Sequence, residues 1–170
     1  MRLEDFCLCL RPRPGWAVFA TIMALVFWGG VACAAWTVQP ISNPIGSEMH
    51  CHLQSDTRSV SDGYQETQVS ILVQADAVLV KTAAILDASF SDIGMQIDKH
   101  SFLPMDDVYP DKIARFASHH DAIINQFRKG YTVRVQLRFW PTWPATGTHS
   151  VSFSLIGFSK AYAEMQTCPR

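Results

Sequence analysis

Almost every feature that would name a reaction is missing from this 170-residue chain. No serine or cysteine sits in a recognisable nucleophile turn, no acidic run has the ordered ligand spacing of a calcium loop, and there is no internal repeat or low-complexity tract. Charge is sparse as well: Asp, Glu, Lys and Arg make up 17% of the residues, and the formal net charge is −1. A chain so balanced lacks the basic face that phosphate neutralisation demands, which argues against nucleic acid as a partner. It also lacks a polybasic cue for anionic lipid.

Cysteine is scarce in a more informative way. Of five cysteines, Cys7, Cys9 and Cys33 fall in the first 35 residues, leaving Cys51 and Cys168 near the two ends of the rest. Those 35 residues place Arg2, Arg11 and Arg13 before the uncharged apolar run Trp16 to Val31, with small residues at Ala32-Cys33-Ala34-Ala35. This is the layout of a secretory signal peptide, cleaved after Ala34 or Ala35. The competing reading is an uncleaved anchor, because a run of about 20 residues suffices to span a bilayer. Lipidation at Cys33 is a weaker alternative, since Gly30-Val31-Ala32 lacks the expected leucine, and Pro12 between Arg11 and Arg13 removes the adjacent arginine pair of a twin-arginine signal.

Either way, the remainder is expected outside the cytoplasm, periplasmic or on the extracellular face, and held at the inner membrane if the leader is retained. The leader carries three of the 14 basic and two of the 15 acidic residues, so residues 36–170 form a single expected domain at about −2. In an oxidising compartment Cys51 and Cys168 read as one disulfide. A metal-binding thiol and intermolecular pairing are the alternatives.

The fold class expected is mainly β, an antiparallel sandwich-like arrangement with one or two short helices before a C-terminal hairpin and a short terminal helix. Residues 36–63 are rich in turn formers and read as one strand around Cys51 inside loops. Residues 64–98 thicken in aliphatic and β-branched residues and read as three strands. Over 110–130, Ile113, Phe116, His120, Ile123, Ile124 and Phe127 recur at spacings of three and four, which predicts one bent helix or two short ones. Pro110 suits its first turn, Ser118 suits a second cap, and Gly130 suits its stop. Tyr131, Val133, Val135, Leu137 and Phe139 then alternate with Thr132, Arg134, Gln136 and Arg138, as do Val151, Phe153 and Leu155 with Ser150, Ser152 and Ser154, predicting a hairpin. Phe158, Ala161, Tyr162 and Met165 predict a terminal helix that delivers Cys168.

Three stretches resemble the invasion-associated locus B family of exported bacterial proteins: Gly94-Met95-Gln96-Ile97-Asp98, the run from Ala122 to Gly130 leading into the strand, and Ser154-Leu155-Ile156-Gly157-Phe158-Ser159-Lys160-Ala161. They span about half of residues 36–170. The resemblance implies a small exported β-rich fold with an envelope or surface role, and more remotely a part in host-cell invasion. The chain departs from the family at Phe116-Ala117-Ser118-His119, where a cysteine pair is usual and none is present. The tryptophan-proline loop is a further addition.

Four groups of residues invite a chemical reading. On a strand, His50 and His52 share a face while Cys51 points away, so the two imidazoles would reach one transition metal if His100, His119, His120 or His149 completed the shell. His119-His120-Asp121 sets a carboxylate beside an imidazole, but neighbours on a helix diverge, and His120 reads better as a packed, hydrogen-bonded residue. Asp106 and Asp107 with Asp111 read as a solvated turn before the helix rather than a cation site. Trp140 and Trp143, stiffened by Pro141 and Pro144, are the strongest binding candidates, with Arg134 and Arg138 on the outer strand face beside them. The opposing reading folds both indoles back over the core edge.

The expectation is therefore a non-catalytic envelope protein, needing no cofactor, that contacts another envelope or host protein, including as an accessory part of a secretion or conjugation apparatus. The rival is a periplasmic metal-binding module using His50 and His52.

Overall fold

In the computed structural model, which describes residues 35–42, 49–141 and 147–168, two antiparallel sheets enclose a single apolar core. The expected leader, up to residue 34, lies outside the described residues. One sheet runs in the order β1 (Trp36–Ser42), β2 (Met49–Ser55), β4 (Glu66–Val73), β5 (Val78–Thr82), β9 (Ile113–Phe116), β8 (Asp107–Val108), with β3 (Arg58–Ser61) also paired to β4. The other runs β11 (His149–Ser154), β10 (Thr132–Leu137), β6 (Gly94–Ile97), β7 (Leu103–Pro104). Their inner faces supply the core: Val69, Ile71, Val73, Val78 and Val80 from the first, Met95, Ile97, Val133, Val135, Leu137 and Phe153 from the second. This is a mainly β, sandwich-like architecture, as the alternating patterns imply.

Two helices close it. In α1 (His120–Lys129) the buried positions are Ile123, Ile124 and Phe127, and in α2 (Phe158–Gln166) they are Phe158, Ala161 and Met165. These spacings of three and four put one apolar stripe on each helix, and the stripes meet Trp36 of β1. Trp36 lies 6.0 Å from Phe127 and 5.0 Å from Phe158, which are 5.2 Å from each other, in tilted and edge-on contacts. Such pairs add to the benefit of burying three large rings. The Trp36 indole N–H also donates to the Ser154 carbonyl at 2.8 Å, tying β1 to the end of β11. Cys168, just beyond α2, is bonded to Cys51 of β2 across 117 positions, at a Cα–Cα distance of 6.2 Å. The bridge therefore fastens the terminal helix to the first sheet.

Several local expectations need correction. Ile113–Phe116 is strand, not helix: it pairs with Val78–Lys81 on one side and Asp107–Val108 on the other, burying Ala114 and Phe116 alternately. Four residues match either period, and pairing on both edges decides the matter. One helix, not two, remains, and Pro110 sits in the β8–β9 turn rather than in its first turn. Ser118 does not cap it. His119 is the N-cap residue, while the Ser118 hydroxyl donates to Asp106. Residues 36–63 hold three strands instead of one, and Pro40 is tolerated because β1 is an edge strand paired only with β2.

Tyr131, expected on the core face, is 74% exposed, because β10 begins one residue later. The Asp98 carboxylate marks that start by accepting the Tyr131 and Thr132 amides at 3.0 and 2.9 Å. Gly130 does end α1, but in extended backbone (φ −87°, ψ 171°), so left-handed freedom is not why glycine stands there. A Cβ would lie 2.9 Å from the Asp98 carboxylate, the Gln126 carbonyl and the Ile97 side chain, and only hydrogen fits. Gly157, at φ +88° before α2, does use the left-handed region.

Candidate functional site at the tryptophan hairpin

The outer face of β10 carries Arg134 and Gln136, and Arg138 continues the alternation one residue beyond the strand. Beyond Leu137 the chain stays extended and pairs with the β5–β6 connection. The Asp87 amide donates to the Arg138 carbonyl and the Trp140 amide to the Ile85 carbonyl, both at 2.9 Å, around a bridge between Leu86 and Phe139. Leu86 and Phe139 turn inward and are buried. Their neighbours turn outward, so Trp140 is 62% exposed and Ile85 42% exposed on one short stretch of paired backbone. Trp140 therefore does not fold back over the core. Trp143 lies outside the described residues, as do 142–146 generally.

The sequence placed Arg138 on the contact surface, but its guanidinium is engaged within the protein. Its Nε donates to both oxygens of Asp92, at 2.7 and 2.9 Å, and its guanidinium carbon sits 4.2 Å from the centre of the Phe90 ring. The Thr148 hydroxyl donates to the same carboxylate at 2.7 Å. The hydrogen bond from Arg138 holds the Asp92 carboxyl below the ordinary range, against the opposing effect of burial, with Thr148 assisting. Arg134 is exposed, in register between Gln96 and Ser152, and does not join Trp140. Six residues of extended chain separate the two by roughly 20 Å.

Among the described residues the histidine side chains form no metal-binding group. His52 is half-buried; burial lowers its imidazole below the usual value, against a hydrogen bond with Gln54. The His50 side chain lies outside the described residues, and Cys51 is consumed by the disulfide. Among the described residues, no three His, Cys, Asp or Glu side chains group so as to hold a metal ion. His100 and His119 are exposed, and His149 lies against Phe139 with ring centres 5.6 Å apart. His120 is packed and hydrogen-bonded: one ring nitrogen meets the Gln74 carbonyl and the other the Asp121 carboxylate, each at 3.2 Å. That imidazole and carboxylate do meet, contrary to expectation for helix neighbours.

Asp106 also serves the backbone. Burial alone would raise its carboxyl, but hydrogen bonds from the Ser118 hydroxyl and amide and from the Ala117 amide bring it below the ordinary range. Asp62 is lowered chiefly by the Gln65 amide, with the Tyr64 amide adding to it.

These shifts fix the sign of the pH response. A group whose pKa is lower when folded stabilises the protein above its unfolded pKa and loses that contribution as pH falls through the folded one. Stability measured by urea titration is therefore expected to begin falling below about pH 6.5, where His52 starts to bind protons in the unfolded chain. It should then fall more steeply below about pH 4, where Asp62, Asp92 and Asp106 follow. A constant unfolding free energy from pH 7 to pH 3 would contradict the assignment.

The chain is thus a disulfide-closed, β-sandwich-like protein with an exposed indole on a braced hairpin. In comparison with known proteins it matches no family model, no curated protein and no solved structure.

Proposed function

We propose that this is a non-catalytic protein of the cell envelope, exported to the periplasm or the outer face, that acts by contacting another envelope or host protein. The observation carrying this reading is Trp140: an indole 62% exposed, on backbone hydrogen-bonded to Ile85 and beside that residue's exposed side chain. A large ring on fixed backbone loses little conformational freedom on binding, which makes it an efficient contact residue. The Cys51–Cys168 bond suits an oxidising compartment. Among the described residues, no helix is long and apolar enough to cross a membrane.

The resemblance to the locus B family supports the same reading, and its glycines have structural uses here: a Cβ would collide with neighbouring atoms at Gly94 and Gly130, and Gly157 takes the left-handed region. Trp140→Ala is expected to cut recovery of the partner in co-purification from the native envelope at least about tenfold, the effect of losing an anchor tryptophan. Recovery equal to wild type would overturn the reading.

A further inference from the structure

Both stems of the β10–β11 connection end on one carboxylate. Arg138 leaves the first stem and Thr148 enters the second, and each donates to Asp92 of the β5–β6 connection. The connection that carries Asp92 also supplies Ile85, whose carbonyl holds the Trp140 amide, and Phe90, whose ring lies under the Arg138 guanidinium.

An exposed ion pair contributes little by itself. Three features set this pair apart. The Arg138 side chain is only 17% exposed, its Nε reaches both carboxylate oxygens, and a second donor, the Thr148 hydroxyl, shares the acceptor. Both donors are met by one charged acceptor. An asparagine at 92 removes that charge and leaves one acceptor oxygen, so that Arg138 loses its ion pair and the Thr148 hydroxyl must turn to accept from the new N–H2.

We propose that Asp92 is the positioning residue of the tryptophan surface, a carboxylate staple that fixes both stems of the hairpin and thereby the backbone that presents Trp140. This rests on the reading of Trp140 as a contact residue. Asp92 touches no partner itself and acts through Arg138 and Thr148.

Hydrogen exchange of the intact, oxidised protein tests it without any partner. Asp92→Asn is expected to speed exchange at Trp140 and across 147–149 by about tenfold or more, the effect of losing hydrogen bonds to a charged group. Exchange at Val69 and Ile71 of β4 should stay unchanged. Thr148→Val should speed exchange only across 147–149. Unchanged exchange at both stems in Asp92→Asn, or an equal rise in β4, would overturn the proposal. Co-purification then separates the two ideas. Lost recovery in both Asp92→Asn and Trp140→Ala supports positioning. Recovery lost in Trp140→Ala but kept in Asp92→Asn overturns it, whereas an unaffected Trp140→Ala sinks the contact reading while the exchange result still decides the staple.

Discussion

Reducing the Cys51–Cys168 bond is expected to lower the unfolding midpoint by about 10 °C or more. Closing a loop of 117 positions removes about 4 to 5 kcal/mol of chain entropy from the unfolded state in the simple loop model, and native bridges commonly contribute 2 to 5 kcal/mol. In a domain of this size each kcal/mol moves the midpoint by about 3 °C. The bond also has a local task. It joins β2 to the segment after α2, so reduction should speed amide exchange in α2 before it affects β4 or β10. Melting curves with and without reductant, repeated on a Cys51→Ser, Cys168→Ser double variant, check the claim. Midpoints within about 2 °C of each other would refute it.

Phe158→Ala is expected to cost about 3 to 5 kcal/mol, comparable to or larger than loss of the bridge. Phe158 is fully buried, and its ring contacts Trp36 at 5.0 Å, Phe127 at 5.2 Å and Tyr162 at 5.6 Å. Removing it opens a cavity where β1, α1 and α2 converge, and three neighbouring rings lose their partner. Native domains hold only about 5 to 15 kcal/mol in total, so this variant under reducing conditions should lose a large part of its stability. The two losses should not add. Each loosens α2, and a double-mutant cycle with the cysteine variant should show coupling of about 0.5 to 3 kcal/mol. A loss below about 1 kcal/mol for Phe158→Ala by urea titration would mean that the aromatic cluster does not hold the helix.

Much of this frame was legible in the residues, and the failures have physical causes. The β10–β11 hairpin announced itself because six-residue strands with one wet face leave a clean period of two. The terminal helix and the cysteine pair followed from apolar spacing and from the presence of only two cysteines beyond residue 35. Strand β9 was misread because Ile113 and Phe116 stand three apart and lead straight into the stripe of α1. Over four residues the helical and extended periods cannot be told apart. Strand β1 was hidden by its own turn formers, which an edge position tolerates and a central one would not.

The candidate site divides in the same way. Trp140 was legible as a stiff aromatic position, and the structure leaves it exposed. Arg138 was legible as outward-facing, but its partner Asp92 is 46 positions away, in the connection between β5 and β6. Nothing in local spacing signals a carboxylate that joins two loops. Gly130 was placed correctly for the wrong reason: the pressure on it comes from Asp98 and Ile97, across the fold.

The aromatic cluster sets a schedule as well as a geometry. Trp36 opens β1, yet its ring partners are residues 127 and 158 and its indole hydrogen bond goes to residue 154. The first strand therefore has no completed surface to rest on until almost the whole chain is available. Contacts that span so much sequence form late and slowly, because the intervening segments must be ordered before the closing contacts repay them. A chain made from its N-terminus would leave β1 without these partners until α2 emerged. The last helix would then act as the latch that turns an extended polymer into a folded protein.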